Sequence, residues 1–301
     1  TDRSVVSSCP KGFVAGAIWM LLDDGSLRFD QRVAEVVPEF GTNGKEVITV
    51  EMLLTHPGGF PSAPMNPAVA ASRPTRLEQF GRWRLNWEPG TRYEYHPTSG
   101  HWVLGELVER VSGSDLPTFL RERIVEPLGL PSFTLGAPVD EQDDVRTLVA
   151  VGELPTPEEL EAAIGVRIDL AAMLGEVTTD NLLQFNDPVT RSIGFPGAGG
   201  LATAADLALY YQALLHDAPE LWDPELLRRA TREVRCDLPD PVLGFPAHRS
   251  LGLQVAGEPP DAQRRTFGHG CSPETFGHDG AGGQLAWADP ATGISLGSLT
   301  N

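Results

Sequence analysis

The sequence predicts an α+β fold, with a buried helix near the start, a long helical middle and antiparallel strands at the end. Three observations carry this. Residues 13–22 are an almost wholly apolar run. Residues 102, 103, 104, 107, 108 and 111 form an apolar stripe at helical spacing. Residues 251–255, 284–288 and 294–299 are short and alternating or apolar, and 289–293 (Asp-Pro-Ala-Thr-Gly) joins the last two as a hairpin turn.

The elements follow in order. Residues 11–23 read as a buried helix closed by Asp23-Asp24-Gly25, and 27–30 and 33–38 are short pieces stopped by a proline. Thr49 is the expected N-cap of a helix through 54, and His56-Pro57-Gly58-Gly59 is a rigid turn. Residues 62–75, rich in Pro and Ala, read as a loop before a helix over 76–85. The turn at Glu88-Pro89-Gly90-Thr91 precedes a helix over 101–111 that Gly113 closes. A second short helix covers 116–124, and one or two more fall within 157–175. Glycine-rich 197–201 leads into Thr203-Ala204-Ala205-Asp206, a capping-box-like start for a helix over 204–216.

At 301 residues and 41% hydrophobic content, the chain is long enough for a sizeable core. A net charge of −18 argues against nucleic acid and against anionic membrane surfaces as partners. Acidic residues cluster in 138–163, which reads as a solvated surface. The three cysteines, Cys9, Cys236 and Cys271, are far apart and lack C-x-x-C spacing, so neither a disulfide framework nor a metal site is expected. That pattern fits a reduced, cytoplasmic protein, and equally a secreted one without structural disulfides. No apolar run reaches the ~18 residues of a membrane span.

Ser8-Cys9-Pro10-Lys11 is the stretch with most chemical content. Ser8 and Lys11 share one face of the first turn of the 11–23 helix. A serine hydroxyl needs a base, and a desolvated lysine can serve. Serine is also a common helix cap and lysine a common surface residue, so the pair alone decides nothing. Two later segments add the missing functions. Residues 89–97 present Tyr93 and Tyr95 on a turn before a helix, and a phenol near a lysine can act as base or hand over a proton. Residues 276–284 lead into a strand with Gly277, Gly280, Gly282 and Gly283, which lets backbone pass close to a ligand. There the N–H of Ala281 can face an oxyanion, and His278 can polarise a substrate.

Together the three segments resemble the serine beta-lactamase-like superfamily, in its class C, D-peptidase and family VIII esterase branch. S-x-x-K falls at Ser8 to Lys11, Tyr-x-Asn at Tyr95-His96-Pro97, and Lys-Thr-Gly or His-x-Gly at His278-Asp279-Gly280. Supporting segments at 48–59, 89–91, 104–113, 126–130 and 199–206 keep the family's order. The resemblance implies a beta-lactamase/transpeptidase-like fold, an antiparallel sheet flanked by helices plus a mainly helical region. Residues 1–45 and 235–301 would form the α/β region and 46–234 the helical one, with the site in the cleft between. Members carry core strands before the S-x-x-K helix, so those strands are expected to be missing from this chain, as from a fragment.

By the same resemblance, Ser8 is the acylated nucleophile, and Lys11 with Tyr95 forms the base pair. The N–H groups of Ser8 and Ala281 form the oxyanion hole. His278 and Gly280 line the substrate side. His278 stands where beta-lactamases carry a lysine, and Pro97 where an asparagine meets the substrate amide. Both departures point to small carboxylic esters as substrates, with no cofactor. Beta-lactamase or D-amino-acid peptidase activity is the enzymatic alternative. A non-catalytic binding protein of the same fold is the other, and the intact Ser8, Lys11 and Tyr95 trio argues against it. The sequence says nothing of oligomeric state.

Overall fold

The computed structural model describes residues 2–153, 155–164, 177–216, 220–241 and 244–300. Helix α1 (Pro10–Asp23) runs through the core, with every residue from Pro10 to Leu21 buried. A helix apolar on all sides can sit only inside a protein. Pro10 occupies its first turn, where a missing N–H costs nothing. Phe13 stacks between Phe133 and Tyr210, with ring centroids 3.7 and 3.8 Å away. Gly16 lets a neighbour close in: a Cβ there would lie 2.6 Å from the Tyr210 hydroxyl.

The helical middle follows. Helix α2 (Val50–Thr55) is capped by Thr49, whose side chain accepts the Met52 N–H. Helix α3 (Arg73–Arg82) begins three residues before the expected start and ends three before the expected end. The Pro- and Ala-rich stretch before it is not all loop. Asn66 caps a short helix Pro67–Ala70 whose first residue is proline. Helix α4 (Ser99–Ser112) ends on Gly113 at φ 76°. Residues 116–125 continue as one helical stretch that widens after Leu120. A helix covers Pro157–Ile164; the rest of the helical expectation for 157–175 lies outside the described residues. Helix α5 (Ala204–His216) starts with reciprocal bonds between Thr203 and Asp206, as the capping pattern predicts. Helix α6 (Pro224–Arg232) follows.

Two antiparallel sheets frame these helices. In the smaller, β1 (Ser4–Val5), β2 (Thr134–Leu135) and β3 (Gly200–Ala202) lie in the order β1-β3-β2. Such short strands carry no readable alternation, so this sheet leaves no mark in the sequence pattern. In the larger, β4 (Gln254–Val255), β5 (Phe276–Gly280), β6 (Gln284–Asp289) and β7 (Ile294–Ser298) lie in sequence order. The hairpin at 289–293 closes through Gly293 N–H to the Asp289 carbonyl at 2.9 Å. Of the strand expected over 251–255 only the last two residues form, because the chain turns at Gly252, φ 96°. Helix α5 packs on the β6–β7 face, where Ser295 donates to Gln212 at 2.8 Å. Among the described residues no helix is long and apolar enough to cross a membrane.

Candidate active site

The site is built where β1 feeds α1. Val6 N–H bonds to the Gly200 carbonyl at 2.9 Å, which ties the end of β1 to β3. The chain then turns through Ser7, a non-glycine residue at φ 43°. Such a conformation needs external support. The Ser7 hydroxyl supplies it by donating to the Ala281 carbonyl at 3.0 Å. The turn places Ser8 ahead of the helix, and Lys11 N–H bonds back to the Ser8 carbonyl at 3.1 Å.

Ser8 Oγ sits between two donors. Lys11 Nζ and Tyr95 OH each lie 3.0 Å from it. Lys11 is fully buried, and its amine also donates to the Gly197 carbonyl at 2.6 Å. Burial, then the Arg249 charge, brings that amine down from 10.5 to about 7. It therefore exists as a neutral base in useful amount near neutrality. Tyr95 behaves oppositely. Burial pushes its phenol up, against the Ser8 hydrogen bond and the Arg249 charge, so the resting group is the protonated phenol. Lys11 Nζ lies 5.2 Å from the Tyr95 ring centroid.

Ser8 and Ala281 face one cavity of about 250 Å³, whose walls include Met65, Pro67, Phe185 and Phe195. Among its described lining residues there is no lysine or arginine. A second cavity of about 400 Å³ adjoins it and shares Ser7, Leu182 and Ala281.

His278 is brought near the trio without lining either cavity. It lies on β5, buried, with its ring centroid 5.9 Å from that of Tyr95. Its Nδ1 lies 2.6 Å from the Asp279 carbonyl oxygen, and Nε2 has no partner. Burial, then Arg249 and Lys11, holds it well below the ordinary histidine value, so it is neutral. Gly280 serves close approach: a Cβ there would lie 2.9 Å from the Val6 carbonyl oxygen, so β5 and the β1 turn meet only across a glycine. Tyr93 packs rather than reacts, fully buried with its hydroxyl 2.9 Å from Arg249 Nε. Cys9, beside Ser8, is buried and pushed up to about 12 by desolvation, which leaves it an inert thiol. His96, next to Tyr95, is structural: its Nε2 accepts the Phe60 N–H at 3.1 Å. His101 is fully buried, and neither ring nitrogen has a partner.

Three residues of this cluster carry no sequence signal of their own. Gly197 contributes a carbonyl, which any residue has. Its specific mark is the missing side chain, since a Cβ would lie 3.2 Å from Lys11 Nζ and 3.0 Å from the Pro97 carbonyl oxygen. His56 reaches the cluster from the end of α2, with its ring centroid 4.9 Å from Tyr95 and its Nδ1 accepting the His96 N–H. Arg249 lies over the Tyr95 ring, 5.2 Å from its centroid. Among the described residues no group of three or more metal-ligating side chains is gathered.

Comparison with known proteins identifies the family. The beta-lactamase family model matches residues 2–301. The esterase/beta-lactamase LipL of Mycobacterium tuberculosis is 28% identical over 322 residues, covering 99% of this chain and 68% of its own length. The chain spans about two thirds of the length of the other curated relatives it matches. A penicillin-binding protein homologue from Caulobacter crescentus superposes with a TM-score of 0.77 at 31% identity, covering 100% of this chain and 78% of that one. A family VIII carboxylesterase gives a TM-score of 0.78 over 100% of this chain and 78% of its own, at 24% identity, a likeness of fold. With the family profile matched along almost its whole length, the chain belongs to the beta-lactamase family, a serine hydrolase of that fold.

Proposed function

We propose that the chain hydrolyses small, uncharged carboxylic esters through an acyl-enzyme on Ser8. The observation that carries this is the convergence of Lys11 Nζ and Tyr95 OH on Ser8 Oγ, each at 3.0 Å, at the wall of an apolar cavity. In acylation the Ser8 hydroxyl proton passes to neutral Lys11 as Oγ bonds to the acyl carbon. The C–O bond to the alcohol then breaks as the Tyr95 phenol gives its proton to the leaving oxygen, and Lys11 restores that proton to Tyr95. Water repeats the sequence in deacylation, with its proton going to Lys11 and the Ser8 hydroxyl re-formed. The main-chain N–H groups of Ser8 and Ala281 are the candidate oxyanion donors.

Substrate class follows from what surrounds the cavity. A beta-lactam or a D-peptide brings a carboxylate, which needs a cation to meet it. The described cavity walls hold no lysine or arginine, and His278 is neutral. An ester needs neither a cation nor the asparagine that Pro97 replaces. The name of LipL, an esterase/beta-lactamase, is consistent with this choice. Turnover of p-nitrophenyl butyrate against nitrocefin tests it, together with intact-mass analysis after a fluorophosphonate probe. We expect ester turnover and a single adduct that Ser8→Ala abolishes. Strong nitrocefin hydrolysis with inert esters would favour the lactamase, and an adduct surviving Ser8→Ala would remove Ser8 as nucleophile.

A further inference from the structure

We propose that Arg249 is a positioning residue of this site: its buried guanidinium holds a fixed positive charge against the Tyr95 ring, which the Lys11 amine also faces, and primes the pair to move the Ser8 proton. The inference rests on the reading of Ser8, Lys11 and Tyr95 given above. Its geometry is independent of that reading. Arg249 is only 6% exposed. The backbone fixes it: Arg249 and Cys236 exchange both main-chain hydrogen bonds, each at 3.0 Å. Nε donates to the Tyr93 hydroxyl at 2.9 Å. The guanidinium carbon lies 5.2 Å from the Tyr95 ring centroid and 5.9 Å from that of Tyr93. Nη1 is buried without a hydrogen-bond partner. A buried guanidinium without a carboxylate partner is costly, and a position beside reacting groups is where such a cost is repaid in function.

The neighbouring groups leave this role open. From α1, Lys11 must be neutral to act as base, and Cys9 is an un-ionised thiol. From β5, His278 is neutral, and Asp279 opposes Arg249 with a carboxylate whose side chain is 43% exposed. From α2 and α4 and the turn between, His56, His101 and His96 are all held below the ordinary histidine value by burial. Tyr93 is pushed up to about 12 and stays protonated. Arg249 is thus the permanent cation among the described groups facing Tyr95. It disfavours a second positive charge on Lys11 and favours negative charge on Tyr95 as its proton leaves.

The test is the pH profile of kcat/KM on p-nitrophenyl butyrate. Arg249→Gln is expected to move the acid limb upward by about one pH unit, the scale for a close charge, with rate partly regained above it. Arg249→Lys, which keeps a charge, is expected to keep the limb near that of the unaltered protein. A folded Arg249→Gln with an unmoved limb overturns the proposal, and so does an Arg249→Lys limb displaced as far as that of Gln. Should Arg249→Gln not fold, Tyr93→Phe frees the guanidinium from its tie and must move the limb the same way; an unmoved limb again overturns it. Ser8→Ala separates the two failures. If that variant keeps full activity, the serine-hydrolase reading falls and this inference with it. If it is inactive while the Arg249 limb stays put, only this inference falls.

Discussion

Replacing Lys11 with methionine is expected to abolish catalysis and strengthen the fold. Lys11 is fully buried, and burial followed by the Arg249 charge lowers its amine from 10.5 to about 7. In the unfolded chain that amine is solvated and titrates near its ordinary value. Between the two values the unfolded chain binds more protons than the folded one, so stability rises with pH across that window. Below the folded value the whole cost of the buried amine is present, and above the ordinary lysine value it is gone. Taking about 1.36 kcal/mol per pH unit, the cost near pH 7 is about 4 kcal/mol. Methionine keeps most of the side-chain volume but loses the bonds to Ser8 and Gly197, worth about 1 kcal/mol each. The variant should therefore be about 2 kcal/mol more stable near neutrality. The gap should shrink as pH rises and reverse above about pH 9. Urea unfolding followed by tryptophan fluorescence across that range measures it, with ester turnover alongside. A methionine variant that is less stable at neutrality, or a gap indifferent to pH, would show that Lys11 is held charged and would refute the reasoning.

Three further outcomes follow from the same geometry. Tyr95→Phe removes a donor 3.0 Å from Ser8 Oγ, so kcat should fall by about 10²–10⁴, with fluorophosphonate labelling slowed in parallel. Gly197→Ala would put a methyl 3.2 Å from Lys11 Nζ and 3.0 Å from the Pro97 carbonyl oxygen. Displacing the amine should cost about tenfold or more in kcat/KM, and crowding the Pro97 carbonyl should lower stability by about 1 kcal/mol. Glu106 on α4 is buried and accepts from Arg73 and Arg110 at 2.6 and 2.7 Å. Glu106→Leu removes the buried carboxylate that Arg73 and Arg110 share, leaving them Glu109 and Glu39 as partners, and should lower stability by about 1 kcal/mol. Its turnover per folded molecule should stay unchanged, as urea titration with active-site labelling would show.

What was legible in the sequence depended on whether a contact was local. Ser8 and Lys11 lie three residues apart on one helical turn, so their meeting needs only α1 to form. The segment of Tyr93 and Tyr95 was legible because the turn at 88–91 and the helix after it bracket it, and the resemblance singled out Tyr95. The hairpin of β6 and β7 was legible from its Asp-Pro-Ala-Thr-Gly turn. Gly197, His56 and Arg249 were not, because each arrives through tertiary packing and contributes a carbonyl, a ring or a charge that has no fixed spacing from Ser8. The sheet of β1, β3 and β2 escaped because strands of two or three residues are shorter than any period they could reveal. The short helix Pro67–Ala70 shows the opposite failure. Proline there starts a helix at its first position, where composition alone reads it as a loop.

Charge is where the bulk composition and the site diverge. The chain carries 41 acidic residues against 23 lysines and arginines, and any carboxylate buried beside Lys11 would hold its amine charged and useless as a base. The carboxylate that acts on Lys11 is Asp279, and its side chain is 43% exposed and solvated. The other groups around the trio are neutral histidines, protonated tyrosines and one arginine. Several of their polar atoms are unpartnered, including His56 Nε2, both nitrogens of His101 and Arg249 Nη1. Each such atom is destabilising, and their gathering around one serine is hard to explain as packing. The dense core around α1, with Phe13 stacked on both faces and Trp19, Trp222 and Tyr210 each bonded to a backbone carbonyl, offsets that cost. The core around α1 thus holds Lys11 where its amine is costly to charge, the condition that the proposed role as a base on Ser8 requires.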